Sequence, residues 1–218
     1  MTSAAATENK VAVLGAGAWG TALAKVLADK GDVVQMYCRR PELVDQINRE
    51  HVNGKYLPSA KLPGTLTASV DPDEVLSGAS MVVFVAPSHA TREVAKLVAR
   101  KVPHDAPIVS ATKGIENDSL TFIDEILAAE LSGDTHRHFS FLSGPSFAKE
   151  LAAEQPTGVV IASPPRASES LTISASPRVM SMARVLCPKP RPSAAPAAMA
   201  MTFLIAPPHS TPGMSRLA

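Results

Sequence analysis

One ten-residue stretch restricts what this chain can fold into: Val11-Ala12-Val13-Leu14-Gly15-Ala16-Gly17-Ala18-Trp19-Gly20. Four apolar residues run straight into Gly-x-Gly-x-x-Gly, and a helical pattern from Thr21 to Ala28 follows. The physical reading is a buried strand, a tight turn and the first turn of a helix. Gly15 permits the sharp turn, and Gly17, having no Cβ, lets a pyrophosphate approach the backbone. Gly20 lets the helix pack closely on the strand. The free N–H groups and positive dipole end of that helix then face the phosphates. A second apolar run, Val33 to Cys38, follows at the distance expected for the next strand of a dinucleotide-binding unit.

From Lys10 to about Ser163, short apolar runs alternate with helical stretches. That alternation predicts an α/β fold: a doubly wound, mostly parallel sheet of Rossmann type over 10–163, preceded by a flexible segment at 1–9. Strands are expected at about 10–14, 32–38, 66–69, 81–86, 108–111, 139–142 and 158–162. Helices are expected at about 18–30, 41–50, 89–101, 119–131 and 147–153, with a brief one capped by Asp71. Pro41 suits a first helical position. His51 to Pro58 reads as a loop. Met81-Val82-Val83-Phe84-Val85-Ala86 is continuously apolar, as in a strand buried on both faces.

At about Ser163 the pattern stops. Residues 164–218 hold ten of the nineteen prolines and one acidic residue, Glu169, against six basic ones. Proline at this density interrupts helices and most ladders, so a largely disordered Pro/Ser/Ala/Arg-rich tail is expected. The formal net charge of +1 gives no reason to expect nucleic acid or an anionic membrane as partner. No run is long and apolar enough to span a bilayer. The first apolar segment contains three glycines and Lys25 and has no cleavage-like site, which argues against a signal peptide. Cys38 and Cys187 lie far apart, and neither they nor the six histidines have metal-ligand spacing. Two free thiols in a reducing compartment, the cytoplasm, and no metal are the expectations.

In an open parallel sheet, ligands bind at the carboxyl ends of the strands, and the unusual polar groups of this sequence fall there. Arg39-Arg40 ends the second strand, where an acid would bind a ribose 2′-hydroxyl; arginines suit a 2′-phosphate or stack on adenine. That favours NADP, or dual use with NAD. Lys113 ends a buried strand before Gly114 and can polarise a carbonyl or hold a phosphate. Gly144-Pro145-Ser146 ends a later strand, where amides and a hydroxyl can hold a substrate oxygen. A serine-hydrolase reading fails, because neither Ser143 nor Ser146 lies in Gly-x-Ser-x-Gly.

Several of these pieces together resemble a known family. Gly15 to Ala24, Arg39-Arg40, Asn53-Gly54-Lys55-Tyr56-Leu57-Pro58, Val85-Ala86-Pro87-Ser88, Thr112-Lys113-Gly114-Ile115-Glu116 and Ser143 to Glu150 occur in the order seen in soluble bacterial NAD(P)-dependent glycerol-3-phosphate dehydrogenases. The resemblance covers residues 10–163. It implies reduction of dihydroxyacetone phosphate to sn-glycerol 3-phosphate, which feeds phospholipid synthesis, and a possible homodimer in the full-length family. Ala18, Trp19, Arg39, Arg40, Tyr56 and Ala148 stand where the family contacts the cofactor. Lys113, the candidate catalytic residue, stands where both cofactor and substrate are touched, and Gly144 and Ser146 where substrate is. Ala18 replaces a frequent serine, so one phosphate hydrogen bond is expected to be missing.

The family continues with a helical domain carrying a second lysine and an Arg-Asn pair on the substrate phosphate. None of these is found in residues 164–218, which read as the product of a shifted or disrupted reading frame. A catalytically inactive nucleotide-binding fragment is the alternative reading, and very slow or no turnover is expected.

Overall fold

The computed structural model describes residues 9–131, 135, 138–163 and 199–205. Ten strands and six helices follow in chain order among them. They are β1 (Lys10–Leu14), α1 (Ala18–Asp29), β2 (Val33–Tyr37), α2 (Pro41–Glu50), β3 (Val52–Asn53), β4 (Leu57–Lys61), β5 (Leu66–Ser69) and α3 (Pro72–Leu76). Then come β6 (Met81–Phe84), α4 (Ser88–Val98), β7 (Ile108–Ser110), α5 (Ile123–Glu130), β8 (Phe139–Ser143), α6 (Ala148–Ala152), β9 (Thr157–Ser163) and β10 (Met199–Ile205).

Six strands run parallel in the order β5-β2-β1-β6-β7-β8. Consecutive units step outward from β1 in one direction, then from β6 in the other. The reversal leaves a crevice beyond the carboxyl ends of β1 and β6, the usual ligand position in such sheets. β9 and β10 extend the far edge antiparallel.

Strand geometry explains why one apolar run feeds two cores. Successive side chains point to opposite faces. Val11 and Val13 of β1 join Leu23, Leu43, Ile47 and Leu151 on the side of α1, α2 and α6. Ala12 and Leu14 join Leu76, Val98, Ile126 and Leu127 on the side of α3, α4 and α5. β6 divides likewise, with Val83 in the first core and Val82 and Phe84 in the second. Phe84 is fully buried, and Phe84→Ala costs about 3–5 kcal/mol by cavity formation.

The elements depart from the sequence expectation in several places, among them the end of α4 at Val98 rather than at about 101. Residues 51–58 are not a plain loop: β3 and β4 form a two-stranded antiparallel hairpin beside α2. Its turn is pinned by the Gly54 N–H, which donates to Gln46 Oε1 at 2.9 Å, a contact that no local propensity reveals. β6 ends at Phe84 rather than Ala86, because Val85 and Ala86 already line the crevice. α5 starts at Ile123, not Ser119: Leu120 has φ +55°, and the Glu125 carboxylate accepts the Phe122 N–H at the new start. The expected disordered tail lies outside the described residues except at Met199–Ile205, which pair with β9 as a strand. The flexible segment expected at 1–9 likewise lies outside them, Asn9 excepted.

Candidate active site

The turn after β1 is built by close contact. Gly15 has φ +136°, and a Cβ there would lie 2.8 Å from the Val85 carbonyl oxygen at the end of β6. A Cβ on Gly20 would lie 2.2 Å from the Gly15 carbonyl oxygen. The two glycines therefore bring β1, β6 and α1 into backbone contact. Gly17 differs, since a Cβ there would meet nothing within 4 Å. Its missing side chain serves no packing need and leaves open space facing the crevice.

α1 begins at Ala18 with Gly17 as its cap, without a side-chain cap and without an acid in its first turn. The first backbone donors of a helix have no intrahelical acceptor, and here no carboxylate competes for them. Such an end favours an anion. These features fit a dinucleotide pyrophosphate.

Two adjoining cavities open from this turn. The first is lined by Gly15 and Gly17, by Arg39 and Arg40 after β2, by Tyr56 of the hairpin, and by Val85 to Pro87. Arg39 and Arg40 are exposed. Cys38 lies buried at its wall as a free thiol, and burial pushes its pKa up, keeping it protonated and inert. Lys55 lies 5.5 Å above the Tyr56 ring.

The second cavity shares Gly17 and Val85 to Pro87 and adds Ala18, Trp19, Gly20, Thr112, Lys113, Ser146 and Ala148. The Lys113 ammonium lies 5.3 Å above the Trp19 ring and donates to the Gly144 carbonyl oxygen at 3.2 Å. Thus Trp19, Lys113 and Gly144, spread over 125 residues of sequence, meet at one point. Trp19 Nε1 is buried and has no protein partner. Gly144 has φ +144°, and a Cβ there would lie 2.7 Å from Gly158 O on β9, so this glycine also serves packing. The Ser146 N–H already donates to Gly144 O at 2.9 Å, and its hydroxyl lies 3.4 Å from the same oxygen. The loop therefore offers fewer free amides than its sequence suggests.

Sequence reasoning missed the groups that hold these residues in place. Asn53 is fully buried and bonds to Ala16 and Thr21. Thr112 Oγ1 donates to Ala86 O at 3.0 Å. Arg92 of α4 donates to Glu116 through Nε at 2.9 Å and Nη2 at 2.8 Å, and through Nη1 to Glu130 at 2.5 Å. The guanidinium and the Ser119 hydroxyl hold the Glu116 carboxyl down at about 2. Asn53, Thr112 and Glu116 fall in the short motifs that the sequence analysis singled out, whereas Arg92, Ser119 and Glu130 do not.

With this geometry in view, the relatives of the chain can be placed. A family model described as the NAD-dependent glycerol-3-phosphate dehydrogenase N-terminus matches residues 10–169. The glycerol-3-phosphate dehydrogenase [NAD(P)+] of Leptospira biflexa is 46% identical over 154 residues, covering 71% of this chain and 46% of the relative. That of Bacillus velezensis is 44% identical over 155 residues, 71% and 45% of the two chains. Among solved structures, glycerol-3-phosphate dehydrogenase from Coxiella burnetii superposes with TM-score 0.63 at 38% identity, covering 70% of this chain and 46% of that one. The enzyme from Saccharomyces cerevisiae gives TM-score 0.66 at 27% identity, covering 75% and 50%. The chain spans about half the length of the curated relatives it matches. The family match along residues 10–169, the stretch that holds this turn, crevice and polar cluster, makes the chain a member of the NAD-dependent glycerol-3-phosphate dehydrogenase family.

Proposed function

We propose that this chain serves the reduction of dihydroxyacetone phosphate to sn-glycerol 3-phosphate, with its two adjoining cavities as the cofactor cleft. The observation that carries the reading is the continuity from the glycine turn to the Lys113–Trp19–Gly144 cluster through shared walls. NAD(P)H supplies the hydride when bound. Gly15, Gly17, Ala18 and Gly20 present the pyrophosphate-binding turn, and Tyr56 flanks the adenosine side. Arg39 and Arg40 are assigned to the adenosine ribose end, where two exposed guanidinium groups favour a 2′-phosphate and hence NADPH over NADH.

Trp19 and Ala148 border the nicotinamide side, and Gly144 and Ser146 the substrate side. Lys113 sits between them and is assigned as the catalytic cation, stabilising negative charge as it builds on the ketone oxygen. The cation–π contact and the Gly144 carbonyl hold the ammonium in place beforehand, so it need not reorganise during reaction. A cytoplasmic location belongs to the same reading, in keeping with the free Cys38 thiol. Among the described residues no helix is long and apolar enough to cross a membrane.

Trp19 is the sole tryptophan and reports directly on this site. With NADPH present, dihydroxyacetone phosphate is expected to change Trp19 fluorescence saturably in the wild type and not in Lys113→Met. No saturable change in the wild type would remove the substrate assignment.

A further inference from the structure

We propose that Asn53 is a positioning residue for the phosphate-binding turn: it fixes the Ala16–Gly17 peptide so that its N–H faces the cleft, and ties Tyr56 to the same turn. This rests on the cofactor reading above. Asn53 ends β3, is 0% exposed, and makes three hydrogen bonds. Nδ2 donates to Ala16 O at 3.0 Å and to Thr21 Oγ1 at 2.7 Å, and Oδ1 accepts the Tyr56 N–H at 3.1 Å. The orientation of the amide is unambiguous. A carbonyl oxygen can only accept and a backbone N–H can only donate, so nitrogen must face Ala16 and oxygen must face Tyr56.

The consequence follows from the peptide plane. In a trans peptide the C=O and the next N–H point in opposite directions. Asn53 draws the Ala16 carbonyl toward the hairpin, and the Gly17 N–H is thereby turned the other way. Gly17 lines both cavities and has open space beside it. The Thr21 hydroxyl in the first turn of α1 is held by the same amide, while the Thr21 N–H closes that turn on Gly17 O at 2.9 Å. One buried side chain thus sets the turn that meets the pyrophosphate and the Tyr56 backbone beside the adenosine cavity. Aspartate at this place has the right size but no donor for Ala16 O, and sets two oxygens against each other.

The test uses the full chain with NADPH as probe. Affinity is read by titration, the Gly17 amide by its proton–nitrogen NMR resonance, and folding by thermal unfolding without nucleotide. In the wild type, saturation with NADPH is expected to move the Gly17 resonance strongly. Asn53→Asp is expected to weaken NADPH binding by about tenfold or more and to abolish most of that movement while the fold persists. A folded Asn53→Asp chain that binds within twofold of wild type with the same Gly17 shift overturns the proposal. Should that variant fail to fold, Thr21→Val and Thr21→Ser decide. The valine, which removes an acceptor of Asn53, is expected to bind several-fold more weakly, and the serine, which keeps it, as wild type. Equal binding by both overturns the proposal. A wild-type chain that binds no NADPH defeats the cofactor reading and this proposal with it, a result distinct from undiminished binding in the variants.

Discussion

The glycine turn after β1 and the lysine loop after β7 face the same crevice, yet they are held by different physical means. The turn is steric. Gly15 and Gly20 allow backbone atoms to approach where any Cβ would collide, and a neutral amide, Asn53, completes it. The lysine loop is electrostatic. Lys113 lies between Thr112, bonded to Ala86, and Glu116, clamped by Arg92, which in turn bridges to Glu130 of α5. The turn therefore tolerates no added volume at Gly15 or Gly20, whereas the loop depends on charge. The arrangement suits the proposed tasks: a pyrophosphate needs a fixed row of amides, and a catalytic cation needs a charged end held in place beforehand.

The largest effect that separates the two belongs to the turn. Gly20→Ala sets a Cβ against the Gly15 carbonyl, a backbone atom that cannot step aside. A loss of about 3 kcal/mol or more is expected, read by denaturant unfolding. Next comes Arg92→Met, which leaves Glu116 and Glu130 facing one another without their shared cation. A lower melting temperature is expected, together with weakened response of Trp19 to ligand, because the loop carrying Lys113 loses its anchor. If Arg92→Met melts as wild type, the electrostatic account of the loop fails.

The same clamp has a pH signature. The folded Glu116 carboxyl titrates at about 2, below its ordinary value of 4.5. A depressed carboxylate contributes stability that is fully present above the unfolded value and is lost as pH falls through the folded one. Acid unfolding of Glu116→Gln is therefore expected to be shallower than wild type between pH 4.5 and about 2, and indistinguishable slopes would contradict the clamp. The smallest effect on stability is that of Lys113→Met. The cation above Trp19 contributes under about 1 kcal/mol, yet its removal is expected to shift the sole tryptophan's emission.

The same contrast explains what could be read from the sequence. The glycine turn was legible because its steric demands fall within six consecutive residues. The parallel sheet was legible from apolar runs such as Met81 to Phe84, which follow from burial on both faces. The hairpin β3–β4 was not, because its turn is set by Gln46 of a neighbouring helix rather than by a turn-forming dipeptide. Arg92 was invisible as an anchor because it lies 24 residues before Glu116 on a helix of ordinary composition. Lys113 could be singled out by its place at a strand end, but its seat on Trp19 required the fold. For Ser146 the sequence offered an amide that the structure has already committed to Gly144.

Gly17→Ala tests the central claim most directly. The added methyl meets nothing within 4 Å, so the fold has no reason to change, yet it occupies the open space proposed for the phosphates. Thermal unfolding with and without NADPH is the measurement. The wild type should gain melting temperature with NADPH by mass action. Gly17→Ala should unfold as wild type without nucleotide and lose most of that gain. A wild type unmoved by NADPH, or a Gly17→Ala chain stabilised by it as fully as wild type, would contradict the claim that this turn is built to hold the dinucleotide.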